Sequence, residues 1–207
     1  MNPYRRTLLA AMALTPFASF AQERDAYVEI KPPMPVDTAG KIEVAEFFWY
    51  GCIHCYNLEP KLETWLKKLP ADAEFKRIPA VFNARWARDA GIFYAFDSLG
   101  VLPKVHRPFF DAIHRDHLNT EDPKALAEWL GKNGVDPKKF DDALKSFGVQ
   151  SKVRRASQLT VASKIDGTPA MVVQGRYQIG ASDRMLDTVS QLIEAARKDK
   201  LASKGAR

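Results

Sequence analysis

The chain's two cysteines stand three residues apart, as Cys52-Ile53-His54-Cys55. On the first turn of a helix, residues at that spacing share a face. Two sulfurs placed so can close a disulfide or open to a dithiol with little backbone movement. A cysteine at a helix N-terminus meets unpaired N–H groups and the positive end of the helix dipole, which favour the thiolate, the reactive form. Cys52 is therefore the candidate nucleophile. Cys55, one turn deeper, is the candidate resolving thiol. His54 lies between them, where a protonated imidazole or its N–H can steady a Cys52 thiolate; otherwise it is a solvated helix residue. Glu46 is the acid inside an otherwise apolar run, Val44 to Tyr50. It either faces water at a sheet edge or is buried beside a group that needs it, and a buried carboxylate with a raised pKa can move protons.

Two other uses of a cysteine pair compete. As a structural disulfide, a three-residue spacing closes almost no loop and stabilises little through chain entropy. A zinc site needs two further ligands. The histidines available are His54, His106, His114 and His117, and no second tight ligand pair appears. His114 and His117 could pair, but helical patterning accounts for them as surface residues.

The elements around the motif can be read from periodicity. Tyr27 to Lys31 predicts a short strand, before a turn-rich Pro32-Pro33-Met34-Pro35 linker. Ile42 to Tyr50 reads as a buried strand ended by Gly51. Leu58, Leu62, Trp65, Leu66 and Leu69 mark one face of a helix. Glu74 to Val81 returns as a strand, so the cysteines fall at the turn into the helix of a strand–helix–strand unit. From about residue 84 to 148 the signals are helical: Asp122-Pro123 and Asp136-Pro137 are helix starts, and Asn133-Gly134 and Phe147-Gly148 read as stops. A further helix is expected over 151–164. Strands follow at 170–174 and 177–179, joined through Gly175-Arg176, and Ser182 is expected to cap a last helix.

A chain of 207 residues, 46% hydrophobic and 27% charged, folds as an ordinary globular protein and needs no disulfide staple. The first residues read as an export signal: Arg5 and Arg6, an apolar stretch from Leu8 to Phe20, and Ser19-Phe20-Ala21 before cleavage ahead of Gln22. An uncleaved anchor is the alternative, although the run is short and broken by Pro16. Cleavage removes two arginines and no acid, taking the formal charge from +6 to +4. The lysines are scattered and no arginine-rich stripe appears, which argues against nucleic acid as a partner. Export also places the chain where disulfides persist.

The segment Glu46-Phe47-Phe48-Trp49-Tyr50-Gly51-Cys52-Ile53-His54-Cys55-Tyr56 resembles the active-site segment of the DsbA family of periplasmic thiol:disulfide interchange proteins. The similarity runs over essentially the whole mature chain and includes Gly167-Thr168-Pro169-Ala170 before the closing strands. The resemblance implies an α/β thioredoxin-like fold with an inserted helical domain. The divisions expected are signal peptide 1–21, thioredoxin-like 22–82, helical insertion 83–149 and thioredoxin-like 150–207. It implies that Glu46 is a buried acid, that Pro169 is cis and faces the redox pair, and that Thr168 offers a backbone edge to a substrate strand. It further implies no cofactor beyond a Cys52–Cys55 disulfide and no metal. Its substrates would be unfolded exported proteins with free thiols, met in the periplasm by a monomer. A membrane quinone reductase, DsbB or one similar to it, would restore the disulfide. Ile53 stands where the family's best-known dipeptide has proline, a position that tunes redox potential. A disulfide isomerase or reductase on the same fold, or an exported binding module, are the rival readings. A dedicated isomerase usually carries a dimerisation module, and no segment before Glu43 is long enough to be one.

Overall fold

The computed structural model describes residues 26–38 and 40–205. The expected export signal lies outside them. Among the described residues no helix is long and apolar enough to cross a membrane.

The chain runs β1 (Val28–Glu29), β2 (Ile42–Phe48), α1 (Ile53–Leu66) and β3 (Ala73–Pro79). It continues through α2 (Ala84–Ser98), α3 (Leu102–His114), α4 (Pro123–Lys132), α5 (Pro137–Lys145) and α6 (Phe147–Ala162). It closes with β4 (Ala170–Val173), β5 (Tyr177–Ile179) and α7 (Met185–Gly205). The strands form one sheet in the order β1-β5-β4-β2-β3. β2 and β3 are parallel and the other pairings antiparallel.

β2 is buried along its whole length because the sheet is covered on both faces. Alternation splits its side chains. Ile42 and Val44 pack with Leu62 of α1 and Val189 of α7, while Ala45 and Phe47 pack with Ala156 and Leu159 of α6. A third cluster joins Phe48, Tyr50 and Cys55 to Phe93, Phe96, Phe109 and Phe110 of α2 and α3. The helical block between β3 and β4 is thus packed directly against the turn that carries the cysteines.

Two helix ends differ from expectation. Phe147-Gly148 does not stop a helix; it opens α6. Ser146 adopts an extended conformation, and its hydroxyl accepts from Val149 N–H at 3.3 Å, so a cap outweighs the glycine. α6 therefore runs across residues 149 and 150, and ends where Lys164 takes a left-handed φ of 54°. The last helix starts at Met185 rather than beside Ser182, whose backbone carbonyl accepts from Met185 N–H at 3.2 Å. The β4–β5 turn uses Gly175 at φ 64°, where a Cβ would lie 2.0 Å from the Met34 carbonyl oxygen. Met34 N–H donates to the Gly175 carbonyl at 2.7 Å, which ties the proline-rich linker to the sheet.

Candidate active site

β2 delivers the chain to a tight turn in which Cys52 N–H donates to Trp49 C=O at 3.0 Å. Gly51 has to be glycine here, because a Cβ would meet the Trp49 ring at 2.3 Å. Trp49 is fixed from α2: its ring stacks on Trp86 with centroids 4.3 Å apart, and its indole N–H donates to Asp89 at 2.7 Å. Cys52 is the N-cap of α1, and Cys55 N–H donates to its sulfur at 3.4 Å. Pro60 lies inside α1, past the cysteines.

Both cysteines are free, in the reduced state. Their surroundings differ. Cys52 is half-buried and its pKa is brought down to about 5. The largest cause is a hydrogen bond from the Cys55 side chain. The Thr168 side chain and the backbone N–H groups of Cys55 and His54 add to it, against desolvation. Cys55 is fully buried and its pKa is pushed well up, first by burial and then by Cys52. His54 reaches the sulfur through its backbone; its side chain is exposed.

The Thr168–Pro169 peptide is cis. The Cys52 thiol donates to the Thr168 carbonyl at 3.3 Å, so the segment before β4 lies against the redox pair. Pro169 also lines a groove of about 430 Å³ with His54, Leu58, Lys61, Ala181 and Met185. The sites expected at Cys52, Cys55, His54, Thr168 and Pro169 therefore converge at one end of the sheet.

Glu46 sits behind them, with no exposure. Burial drives its pKa up to about 8, against the opposing charge of Arg77 and with the help of Glu59. Its nearest cation is Arg77. The parallel register sets Glu46 opposite Arg77 and Ala45 opposite Lys76, so Lys76 points to the other face and pairs with Glu43 at 3.0 Å. Arg77 Nε comes within 3.1 Å of Glu46 Oε2, but the contact is poorly directed and leaves both Glu46 oxygens without a hydrogen bond. Arg77 instead donates to both oxygens of Glu59, at 3.1 and 3.0 Å. Glu59, Arg77 and His106 were not legible as site residues. Glu59 follows Cys55 by four on the buried side of α1, a spacing that carried the signal. Arg77 is visible only once the strand register is known.

The remaining histidines have other work. His106 Nδ1 lies 2.8 Å from Tyr50 Oη, and His114 Nε2 donates to the Tyr50 carbonyl at 2.8 Å. His114 is half-buried and stacked on Tyr56, unlike the surface residue expected. Among the described residues no group of three or more His, Cys, Asp or Glu converges as a metal-ligand set.

Comparison with known proteins agrees in sequence and in shape. The thiol:disulfide interchange protein DsbA of Bordetella parapertussis is 45% identical over 196 residues, covering 92% of this chain and 93% of that one. The protein of the same name from Azotobacter vinelandii is 42% identical over 176 residues, 83% and 82% of the two chains. The crystal structure of Pseudomonas aeruginosa DsbA superposes with a TM-score of 0.78 at 38% identity, covering 87% of this chain and 95% of that one. Residues 28–194 match the DSBA-like thioredoxin domain, and with relatives this similar over this much of its length, the chain belongs to that family.

Proposed function

We propose that the protein is a thiol:disulfide oxidoreductase that introduces disulfide bonds into exported proteins by exchange through Cys52 and Cys55. The observation that carries this reading is the opposition between the two sulfurs: Cys52 reachable and readily ionised, Cys55 buried and held as a thiol.

In the working cycle a substrate thiolate attacks Cys52 Sγ of the oxidised pair. The Cys52–Cys55 bond breaks, and a mixed disulfide forms between Cys52 and substrate. Cys55 leaves with the electron pair and needs a proton, because its site disfavours a thiolate. Glu46, with a pKa near 8 and a charge that reaches Cys55, is the acid that supplies it. A second substrate thiolate then attacks the substrate sulfur. Cys52 departs as a stabilised thiolate, and the substrate carries the new disulfide. Two substrate thiols have been oxidised and the cysteine pair reduced. A stable Cys52 thiolate favours the reduced pair, which makes the disulfide oxidising.

Thr168 and Pro169 bound the strip along which a substrate segment lies, with His54 at its rim. The pair itself is the redox group, with no metal or separate cofactor. The protein acts as a monomer in the periplasm, and a membrane re-oxidant similar to DsbB returns the pair to the disulfide.

The test is an equilibrium with glutathione, together with single cysteine variants. The wild type should be reduced by glutathione at ratios that leave a structural disulfide intact. Cys55→Ala should accumulate a mixed disulfide at Cys52. A pair that stays oxidised under those conditions would exclude the oxidant role.

A further inference from the structure

The buried cluster behind the cysteines holds two carboxylates, Glu46 and Glu59, and one permanent cation, Arg77. Both carboxylates ionised would leave a buried net negative charge, so one of them keeps a proton. The contacts choose which. Glu59 takes both hydrogen bonds that Arg77 gives, whereas Glu46 has only the poorly directed approach of Arg77 Nε.

His106 adds to this asymmetry. It is buried among Phe48, Phe93 and Phe110, and its Nε2 has no hydrogen-bond partner. The carboxylate oxygen that Nε2 faces is Glu59 Oε1, at 3.6 Å. That is too long for a hydrogen bond but close for a dipole against a charge. On the other side of the ring, Nδ1 meets the Tyr50 hydroxyl at 2.8 Å. An ionised carboxylate only accepts, so the neutral ring is better placed with its hydrogen on Nε2 toward Glu59. Nδ1 then accepts from the Tyr50 O–H. Burial also pushes the His106 pKa down, which keeps the ring neutral.

We propose that His106, set in this tautomer by Tyr50, is a positioning residue that holds Glu59 ionised and so leaves the cluster's carboxyl proton on Glu46. Glu46 is the carboxyl whose charge reaches Cys55. The groups facing His106 are Glu59 and Glu63 from α1, Arg77 from β3, Tyr50 from the turn after β2, and Arg107 on its own helix. Glu59, Glu63, Arg77 and Arg107 share with His106 the lining of a cavity of about 280 Å³, and Tyr50 meets the ring at Nδ1. Glu63 is exposed and sits at the outer side of this group. The role of this assignment in exchange rests on reading Glu46 as the proton donor to Cys55. The assignment itself does not.

The experiment follows the glutamate carboxyl carbons by 13C NMR in the full-length reduced protein, with Glu46→Gln and Glu59→Gln to assign them. In the wild type Glu46 should titrate near 8, and Glu59 should stay ionised to below the ordinary glutamate range. His106→Leu should raise the Glu59 midpoint and lower that of Glu46, each by about one pH unit. His106→Gln, which can return an N–H donor, should restore both toward wild type. Tyr50→Phe releases the tautomer and should move them in the same direction as His106→Leu by less. Midpoints unchanged in His106→Leu overturn the proposal. If that variant does not fold, unchanged midpoints in Tyr50→Phe do so. No substrate enters the measurement. A wild-type exchange rate in Glu46→Gln would therefore remove Glu46 from the mechanism without touching the assignment.

Discussion

Cys52 and Cys55 are the same side chain, three residues apart on one helix. Yet Cys52 is half-buried with its pKa near 5, while Cys55 is fully buried with its pKa well above the ordinary range. In front of α1 the sulfur meets donors: the Cys55 side chain, the Thr168 side chain and two backbone N–H groups. Behind it the sulfur packs with the rings of the helical block, within reach of the charge of Glu46. The difference shows that a thiolate is selected by where donors point, not by residue type. In the proposed cycle the sulfur that leaves, Cys55, is the one whose site disfavours the thiolate and so calls for a proton.

The sharpest break of this comparison is to remove each sulfur in turn. Cys52→Ser should abolish exchange with a small-molecule disulfide, because Cys55 is neither reachable nor ionised. In the reduced wild type at neutral pH, iodoacetamide followed by peptide mapping should find the label on Cys52, with a rate midpoint near pH 5. Labelling of Cys55 first would reverse the assignment of front and back.

The second test uses stability against pH, where the two sides have opposite signs. Folding holds Cys52 near 5 against an ordinary thiol value of 9.0, so the reduced native state carries fewer protons than the unfolded chain between those values. Its contribution is full above about 9 and lost as pH falls through 5. Glu46 is raised from 4.5 to about 8, so the native state holds a proton that the unfolded chain has released. Its contribution is full below 4.5 and lost as pH rises through 8. The oxidised protein has no Cys52 thiol to titrate. Denaturant melts should therefore show the reduced form gaining on the oxidised form from pH 5 to 8. The gain is on the order of 2 kcal/mol once solvent screening at a half-exposed sulfur is allowed for. Glu46→Gln should remove the Glu46 fall from the reduced form's own pH profile across that window, a difference on the order of 4 kcal/mol. An oxidised form that gains on the reduced one as pH rises would sink the account of Cys52.

The front of this site was far more legible in the sequence than the back. A three-residue cysteine spacing after an apolar strand defines a helix start, and local chemistry follows from it. Pro169 and Thr168 came from the resemblance; the peptide between them is cis, and the Thr168 carbonyl lies 3.3 Å from Cys52 Sγ. The back depends on non-local geometry. One residue of strand register separates Lys76, which faces Glu43, from Arg77, which faces Glu46, and in a strand that step reverses the face. His106 lies in the stretch that carries helical signals in the sequence, but its contact with Tyr50 joins residues 56 apart. Phe147-Gly148 opens a helix rather than ending one for a local reason: the Ser146 hydroxyl caps it, which outweighs the glycine.

The third test asks how much of the front belongs to Cys55. Its side chain is the largest cause of the low Cys52 pKa. Cys55→Ala removes that donor and keeps the backbone N–H, so the alkylation midpoint of Cys52 should rise by more than one unit. A midpoint still near 5 would hand the effect to the helix terminus alone.

The smallest expected effect is at Thr168, and it separates the hydroxyl from the backbone beside it. The residue meets Cys52 in two ways: its side chain favours the thiolate, and its carbonyl accepts from the thiol at 3.3 Å. These act in opposite senses, because a bond to the carbonyl exists only while the sulfur keeps its proton. Thr168→Val removes the hydroxyl, retains the β-branched shape beside Pro169 and leaves the carbonyl in place. With one donor gone and the acceptor intact, the Cys52 midpoint should move up. The shift should be smaller than for Cys55→Ala, since the Thr168 side chain ranks below the Cys55 side chain among the causes. A rise of about half a unit in thiolate absorbance or alkylation rate would fit. A rise as large as that of Cys55→Ala would mean that the strip before β4, rather than the helix turn, sets the thiolate, and the contrast between the two cysteines would need a different cause.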